Sequence, residues 1–190
     1  MDPKGLKLNL GCGQSPMPGY VNVDKHGTPE VRCDLEVFPW PWPDSSVDEV
    51  LLSHVLEHLG QTPDIFIGVM KELYRVCRDG ARVHVRVPHP RHDFFLTDPT
   101  HVRPILPATF TLFSRRLNAE WAAGKAANSP LALYHGVDFE IDSHVMILDE
   151  PYAGQLKRGE ITEAEAQALI DRRNNVAHEI RIVLRVVKPA

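Results

Sequence analysis

An α/β domain built on a mainly parallel sheet is the fold this sequence predicts, and three observations predict it. Short apolar strands alternate with segments of helical periodicity along the chain. The first strand, Leu6–Leu10, runs straight into a glycine turn, Gly11-Cys12-Gly13. The length, 190 residues, suits one domain with a core of its own.

The elements follow in order. Tyr20-Val21-Asn22-Val23-Asp24 alternates apolar and polar and reads as a second strand. Residues 31–35 form a third, weaker one. Phe38 to Pro43 alternates proline with Trp40 and Trp42, and Pro43-Asp44-Ser45-Ser46 is a turn. Val47–Ser53 is an apolar strand, buried on both faces in a parallel sheet. Residues 63–77 carry Ile65, Ile67, Val69, Met70, Leu73 and Val76 at helical spacing, with Thr62 ahead of Pro63 as the cap and Asp79-Gly80 as the stop. Residues 81–87 alternate as a strand, and a proline- and histidine-rich loop occupies residues 88–107. A helix over 107–123, a strand over 139–148, a helix over 161–173 and a last strand over 180–187 complete the order. Thr162 and Glu165 have the spacing of a capping box.

Composition narrows the function classes. The formal net charge is −4, with 21 basic and 25 acidic residues and no basic stripe, which disfavours a nucleic-acid partner. The three cysteines, Cys12, Cys33 and Cys77, are odd in number and lack CxxC spacing, which argues against a disulfide framework or a zinc finger. Met1–Lys7 is short and polar, and no apolar run is long enough to span a bilayer, so a cytoplasmic protein without membrane contact is expected.

Glycines after a buried strand let a ligand approach the backbone closely. In a dinucleotide fingerprint Gly11 and Gly13 would be followed by a third glycine, but Pro16 stands there. Only residues 14–19 separate the turn from the second strand, too few for a crossover helix, so a pyrophosphate would lack its helix N-terminus. NAD and FAD fit poorly. Asp24 ends the second strand, where a carboxylate can accept from two ribose hydroxyls. Asp34 ends the third and either receives an adenine amino group or simply forms a turn.

LNLGCG, YVNVD, CDLE, WPDSSVDEVLLSHVLEHL and MKELYRVCRDGARVHVRVP occur in this order. Together they resemble the class I S-adenosylmethionine (SAM)-dependent methyltransferases, most of all small bacterial proteins with a type 11 methyltransferase domain. The resemblance implies a Rossmann-like sheet of seven strands, the last antiparallel, with helices on both faces and the first crossover helices trimmed. It implies a single domain over residues 1–190 with an acceptor or lid loop at about 88–135. It implies SAM as cofactor, with Asn9, Gly11, Cys12 and Gly13 at its methionine end, Asp24 on the ribose, Asp34 and Leu35 flanking the adenine, and Ser53, His54 and Val55 bordering the sulfonium. Asn9 departs from the usual acid of the first motif. The Trp40–Trp42 segment would run beside the adenine, or pack over the sheet edge.

Methyl transfer is an in-line displacement in which an enzyme mainly supplies orientation, with a base only for a protonated acceptor. His54 and His58 lie within SHVLEHL, and the loop HPRHDFFLTDPTHVRP follows the fifth strand, where acceptors enter this fold. His54, His92 and His101 are the candidates for proton transfer, and His89, Asp98 and Arg103 for contacts to the acceptor. A metal site is an alternative reading of this loop, since histidine and carboxylate suit zinc or non-haem metals. Its spacing matches no standard pattern, and none is assigned. The expected reaction is SAM-dependent methylation of a small molecule or glycan, at oxygen first. The motif of amino-directed nucleic-acid methyltransferases is replaced by Ser53-His54-Val55-Leu56. A SAM-binding regulatory subunit and a nucleic-acid or protein methyltransferase are the alternatives. The trimmed helices leave sheet surface that a homodimer would cover.

Overall fold

The computed structural model describes residues 5–189, so residues 1–4 of the polar N-terminal stretch lie outside the described residues. Seven strands form one sheet: β1 (Leu6–Leu10), β2 (Val21–Asp24), β3 (Val31–Arg32), β4 (Val47–Ser53), β5 (Cys77–Pro88), β6 (Phe139–Leu148) and β7 (Ala177–Val186). Their order is β3-β2-β1-β4-β5-β7-β6. Neighbours from β3 to β5 run parallel, and β7 is antiparallel to both β5 and β6. The order reverses between β1 and β4, so the carboxyl ends of these strands open the crevice where ligands bind in such sheets.

One face of the sheet is dry. Val83, Val85 and Val87 of β5 alternate with Arg82, His84 and Arg86, and Ile180, Ile182 and Leu184 of β7 alternate with Arg181, Val183 and Arg185. The apolar set joins Leu8, Leu10, Val50 and Leu52 in the main core. Helix α1 (Pro63–Val76) covers it with Phe66, Val69, Met70, Leu73 and Val76, a stripe at helical spacing. Phe110 and Phe113 extend the same core from the segment after β5, with Phe113 edge-on to Phe66 at 6.3 Å.

Several elements differ from the sequence reading, each for a local reason. Helix α1 stops at Val76 rather than at Asp79-Gly80, because Cys77 already takes extended angles and its sulfur is fully buried at the start of β5. Gly80, at φ +74°, lies inside that strand. The 88–135 region is not one loop but holds four short helices: α2 (Asp93–Leu96), α3 (Pro107–Thr111), α4 (Arg115–Ala123) and α5 (Leu131–His135). The single helix expected over 107–123 breaks at Leu112, where the buried Phe113 turns inward and Ser114 caps α4 by accepting from the Leu117 N–H. α6 (Tyr152–Lys157) precedes α7 (Glu163–Arg172), which starts with the expected Thr162–Glu165 capping box. Around the outer part of β6 and β7, Ile170, Val176 and Ala177 form a second small cluster with Leu148 and Tyr152.

The crossovers β1–β2 and β2–β3 contain no helix. Polar side chains do the anchoring instead. Asn9 Nδ2 donates to Asn22 Oδ1 at 2.9 Å and to the Ser15 carbonyl at 3.1 Å, and the Met17 N–H donates to Asn22 Oδ1 at 2.7 Å. Past them, the second sheet face is open as a groove of about 460 Å³ lined by Tyr20, Glu49, Leu51, His84, Arg86 and Arg181. β4 is therefore not covered equally on its two faces: Val50 and Leu52 are fully buried, while Glu49 and Ser53 are half-buried.

The Trp-Pro segment is tied to α1, as the alternative of packing over the sheet edge expects. Trp40 and Trp42 are buried 6.2 Å apart, edge to face. Arg75 ties them down: it donates to the Trp40 and Trp42 carbonyls at 3.0 and 2.9 Å and to both Glu72 oxygens at 2.7 and 2.8 Å. Glu72 also accepts from the Trp40 N–H at 2.6 Å, and Arg75 holds its carboxyl below the ordinary range. Removing one partner of such a buried pair strands the other. Arg75→Ala should therefore cost about 2–3 kcal/mol and lower Tm by roughly 4–12 °C. Thermal melting followed by circular dichroism checks this, and a Tm within a degree of the parent would refute the anchoring role.

Candidate active site

A cleft of about 190 Å³ opens at the carboxyl ends of β1, β2 and β4, lined by Gly11, Asp24, Lys25, His26, Cys33, Asp34, Leu35, His54, Val55, His58 and Leu59. Gly11 (φ +69°) shapes its floor, where the Gly11 and Cys12 N–H groups donate to the Val23 carbonyl at 2.8 and 3.0 Å. A Cβ at Gly11 would come within 2.5 Å of a Val55 methyl. Asp24 accepts from the Gly13 N–H and the His26 N–H, both at 2.8 Å. Partial burial works to raise its pKa, but these backbone donors outweigh it and hold the carboxyl below its ordinary value. An ionised carboxylate has lone pairs to spare for further donors. Lys25 and Asp34 face each other across the rim at 3.8 Å.

Of the residues expected to hold a cofactor, Gly11, Asp24, Asp34, Leu35, His54 and Val55 line this cleft, while Asn9, Cys12, Gly13 and Ser53 do not. Asn9 is buried under the loop, and its amide is committed to Ser15 and Asn22. Cys12 is buried in the turn. Gly13 acts through its N–H on Asp24 rather than by lining the space. Lys25, His26, Cys33, His58 and Leu59 were not singled out for the cofactor. Lys25 and His26 directly follow Asp24, and adjacency to it was the only signal the sequence offered.

The second wall is a cluster of titratable groups. His54 sits at φ +56° just past β4, its Nε2 2.9 Å from Glu179 and its Nδ1 3.4 Å from Glu57. Glu57 and Glu179 raise its affinity for a proton against the opposing effect of burial. Arg181 in turn donates to Glu179 at 2.6 Å. Residues Leu56–His58 form a 3-10 turn, and the loop segment 98–103 docks on it: the Val102 and Arg103 N–H groups both donate to the Glu57 carbonyl, at 2.8 and 3.2 Å. This places His101 beside His58, ring centroids 4.6 Å apart.

The other loop candidates have structural work. His92 is buried, accepts from the Phe94 N–H at Nδ1 and meets Asp149 at 3.1 Å with Nε2, so neither nitrogen is free for an acceptor. His89 is buried and accepts from the Arg91 N–H. Arg103 lies over the Phe66 ring at 4.5 Å and donates to the Gly60 carbonyl at 2.7 Å, which pins the loop rather than presenting a cation. Asp98 accepts from the Thr100 hydroxyl and N–H at 2.6 and 2.8 Å.

Comparison with known proteins agrees with this architecture. Residues 8–85 match the family described as "Methyltransferase domain", type 11. A SAM-dependent methyltransferase from Archaeoglobus fulgidus shares the fold, with 18% identity over 95% of this chain and 86% of that one and a TM-score of 0.58. The 1,6-didemethyltoxoflavin-N1-methyltransferase of Burkholderia thailandensis, solved with 1,6-didemethyltoxoflavin and S-adenosylhomocysteine, is 13% identical over 96% and 71% of the two chains, with a TM-score of 0.52. The methyltransferase in the Haloferax volcanii complex with the Trm112 activator is 12% identical over 97% and 84%, with a TM-score of 0.52. No curated protein matches the sequence.

Because Gly11 combines a left-handed φ with contact to Val55, Gly11→Ala should weaken SAM binding at least tenfold, read by calorimetry, while Gly13→Ala, where a Cβ meets nothing within 4 Å, should weaken it less. Equal effects would refute the close-approach role. Residues 8–85 thus match a type 11 methyltransferase domain, and the strand order around the glycine turn is the fold seen in solved SAM-dependent methyltransferases.

Proposed function

We propose that this chain transfers the methyl group of SAM to a hydroxyl of a small-molecule or glycan acceptor. The observation that carries the reading is the junction of two walls at one cleft: Gly11, Asp24 and Leu35 on one side, and His54 and His58 on the other. SAM, the cofactor of this domain family, supplies an electrophilic methyl group when bound. Gly11 gives it backbone clearance, Asp24 accepts from the ribose hydroxyls, and Asp34 and Leu35 border the adenine. Val55 and His54 flank the end of β4, where the reacting carbon belongs. His54, oriented by Glu179, takes the proton of the acceptor hydroxyl, for which its raised proton affinity suits it. Orienting the acceptor and cofactor accounts for most of the expected rate enhancement.

Calorimetry with SAM and S-adenosylhomocysteine, on the parent protein and on Asp24→Ala, tests the cofactor half. Micromolar binding, lost by at least tenfold in the variant, is expected, and no binding by the parent would overturn the reading. Radiolabelled methyl transfer to a panel of phenolic, sugar and nucleic-acid acceptors tests the second half. Once an acceptor is found, His54→Ala should lower kcat by roughly 10²-fold with little change in KM. An unchanged kcat would remove His54 from the chemistry.

The open groove over β4, β5 and β7 supports a second reading, in which the chain binds SAM but needs a second copy or another protein on that face to turn over. Arg86 lines the groove, and its side chain makes no hydrogen bond or ion pair among the described residues. Sedimentation of the purified protein at micromolar concentration distinguishes the two. A monomer with full activity rules this reading out, and a dimer that Arg86→Glu dissociates supports it.

A further inference from the structure

We propose that Glu57, His58 and His101 form a binding site for one divalent transition-metal ion at the edge of the cofactor cleft. Their donor atoms all lie within 4.8 Å of one another. Two histidines and one carboxylate, with positions left open, are a donor set suited to zinc and to non-haem metals.

Three observations support the assignment independently of the cluster's composition. First, Glu57 is 1% exposed, and neither of its carboxylate oxygens accepts a hydrogen bond among the described residues. Its nearest cation is His54, whose Nδ1 stands 3.4 Å away without hydrogen-bond geometry. A buried carboxylate in that condition calls for a compensating cation. Second, the tautomers of both imidazoles are set from outside the cluster. The Phe95 carbonyl, 2.8 Å from His101 Nδ1, can only accept, so Nδ1 carries the proton. Thr100 donates its hydroxyl to Asp98, so its oxygen accepts from His58 Nδ1 at 2.9 Å. Nε2 of each ring is left as a lone-pair donor. Outer partners that fix ring tautomer and orientation in this way are the usual support of metal-binding histidines. Third, the backbone holds the two pieces together, because the Val102 and Arg103 N–H groups grip the Glu57 carbonyl. His101 thereby reaches His58 across 43 residues of sequence.

The competing arrangement is a protonated His101 paired with Asp98, whose Oδ2 lies 3.8 Å from Nε2. His58 also lines the cofactor cleft. An oxygen of an acceptor molecule can therefore complete the coordination of the metal, a consequence that rests on the methyl-transfer reading.

Metal-free protein is titrated with Zn2+ by calorimetry and with Co2+ by visible absorption, with and without S-adenosylhomocysteine. One ion per chain is expected, with a Co2+ ligand-field band and an upward shift in Tm on Zn2+ addition. His101→Ala and His58→Ala should each weaken binding by roughly 10-fold or more. Glu57→Gln should do so as well, with thermal melting of the metal-free variants confirming that they fold. Zn2+ affinity unchanged in folded His58→Ala and His101→Ala would overturn the site, as would no binding by the parent protein. Metal binding by a protein that does not bind SAM would uphold the site and sink the methyl-transfer reading. SAM binding without metal binding would do the reverse, leaving only the ion pair of His101 with Asp98.

Discussion

The structure rests on burying the sheet from one side. Over residues 81–87 of β5 and 180–186 of β7 every second side chain is apolar and dry, and the residues between them are arginine, histidine or a half-exposed valine. A one-residue slip of either strand would send Arg86 or Arg181 under α1 and Val85 or Ile182 into water, so the alternation fixes the register of the centre of the sheet. β4 then sits in register with β5, Leu52 opposite Val85 and Ser53 opposite Arg86. That pairing sets where β4 ends and where His54 leaves the sheet.

Having one dry face also explains how the first crossovers manage without helices. Parallel neighbours need a connection that runs back along the sheet, usually an apolar helix that hides its own backbone groups. Here the returning chain is short and lies on polar side chains. Asn9 and Asn22 meet the loop's backbone at Ser15 and Met17, and Glu30 accepts from the Asn22 N–H at 2.7 Å. Asn9 thus has a structural task, which accounts for its absence from the cleft lining. The cost of this solution is the uncovered groove beside it.

How much could be read from the sequence follows the range of the interactions involved. The bounds of β1 and β4 and the Thr162 capping box depend on neighbours a few residues away and were legible, whereas the last strand's antiparallel place was implied by the resemblance alone. So was the placement of Gly11 and Asp24 at strand ends, because a strand end and a glycine turn are local patterns. Where α1 stops was not legible. Asp79-Gly80 has the composition of a helix stop, but pairing of Cys77 with Val47 on β4 draws the chain into the sheet earlier. The break at Leu112 was hidden for the same reason, since it is the core position of Phe113 that turns the chain. His92 illustrates the converse: its chemistry suggested a base, while its neighbours Phe94 and Asp149 occupy both nitrogens.

The meeting of His58 and His101 is the least legible feature, and the physics of the intervening loop explains it. Residues 98–103 have no regular partner strand or helix, so their backbone groups must be met elsewhere. Two N–H groups are met by one carbonyl, that of Glu57, and the guanidinium of Arg103 closes the contact on Gly60 and Phe66. The loop is therefore not free to swing over the cleft as a lid about its prolines. It is fastened at the 3-10 turn, which itself hangs from the end of β4. Any change in the position of β4 is passed through Glu57 to His101. The cleft wall at the end of β4 and the loop that follows β5 are thus one mechanical unit, assembled from two segments that carry no local signal of their proximity.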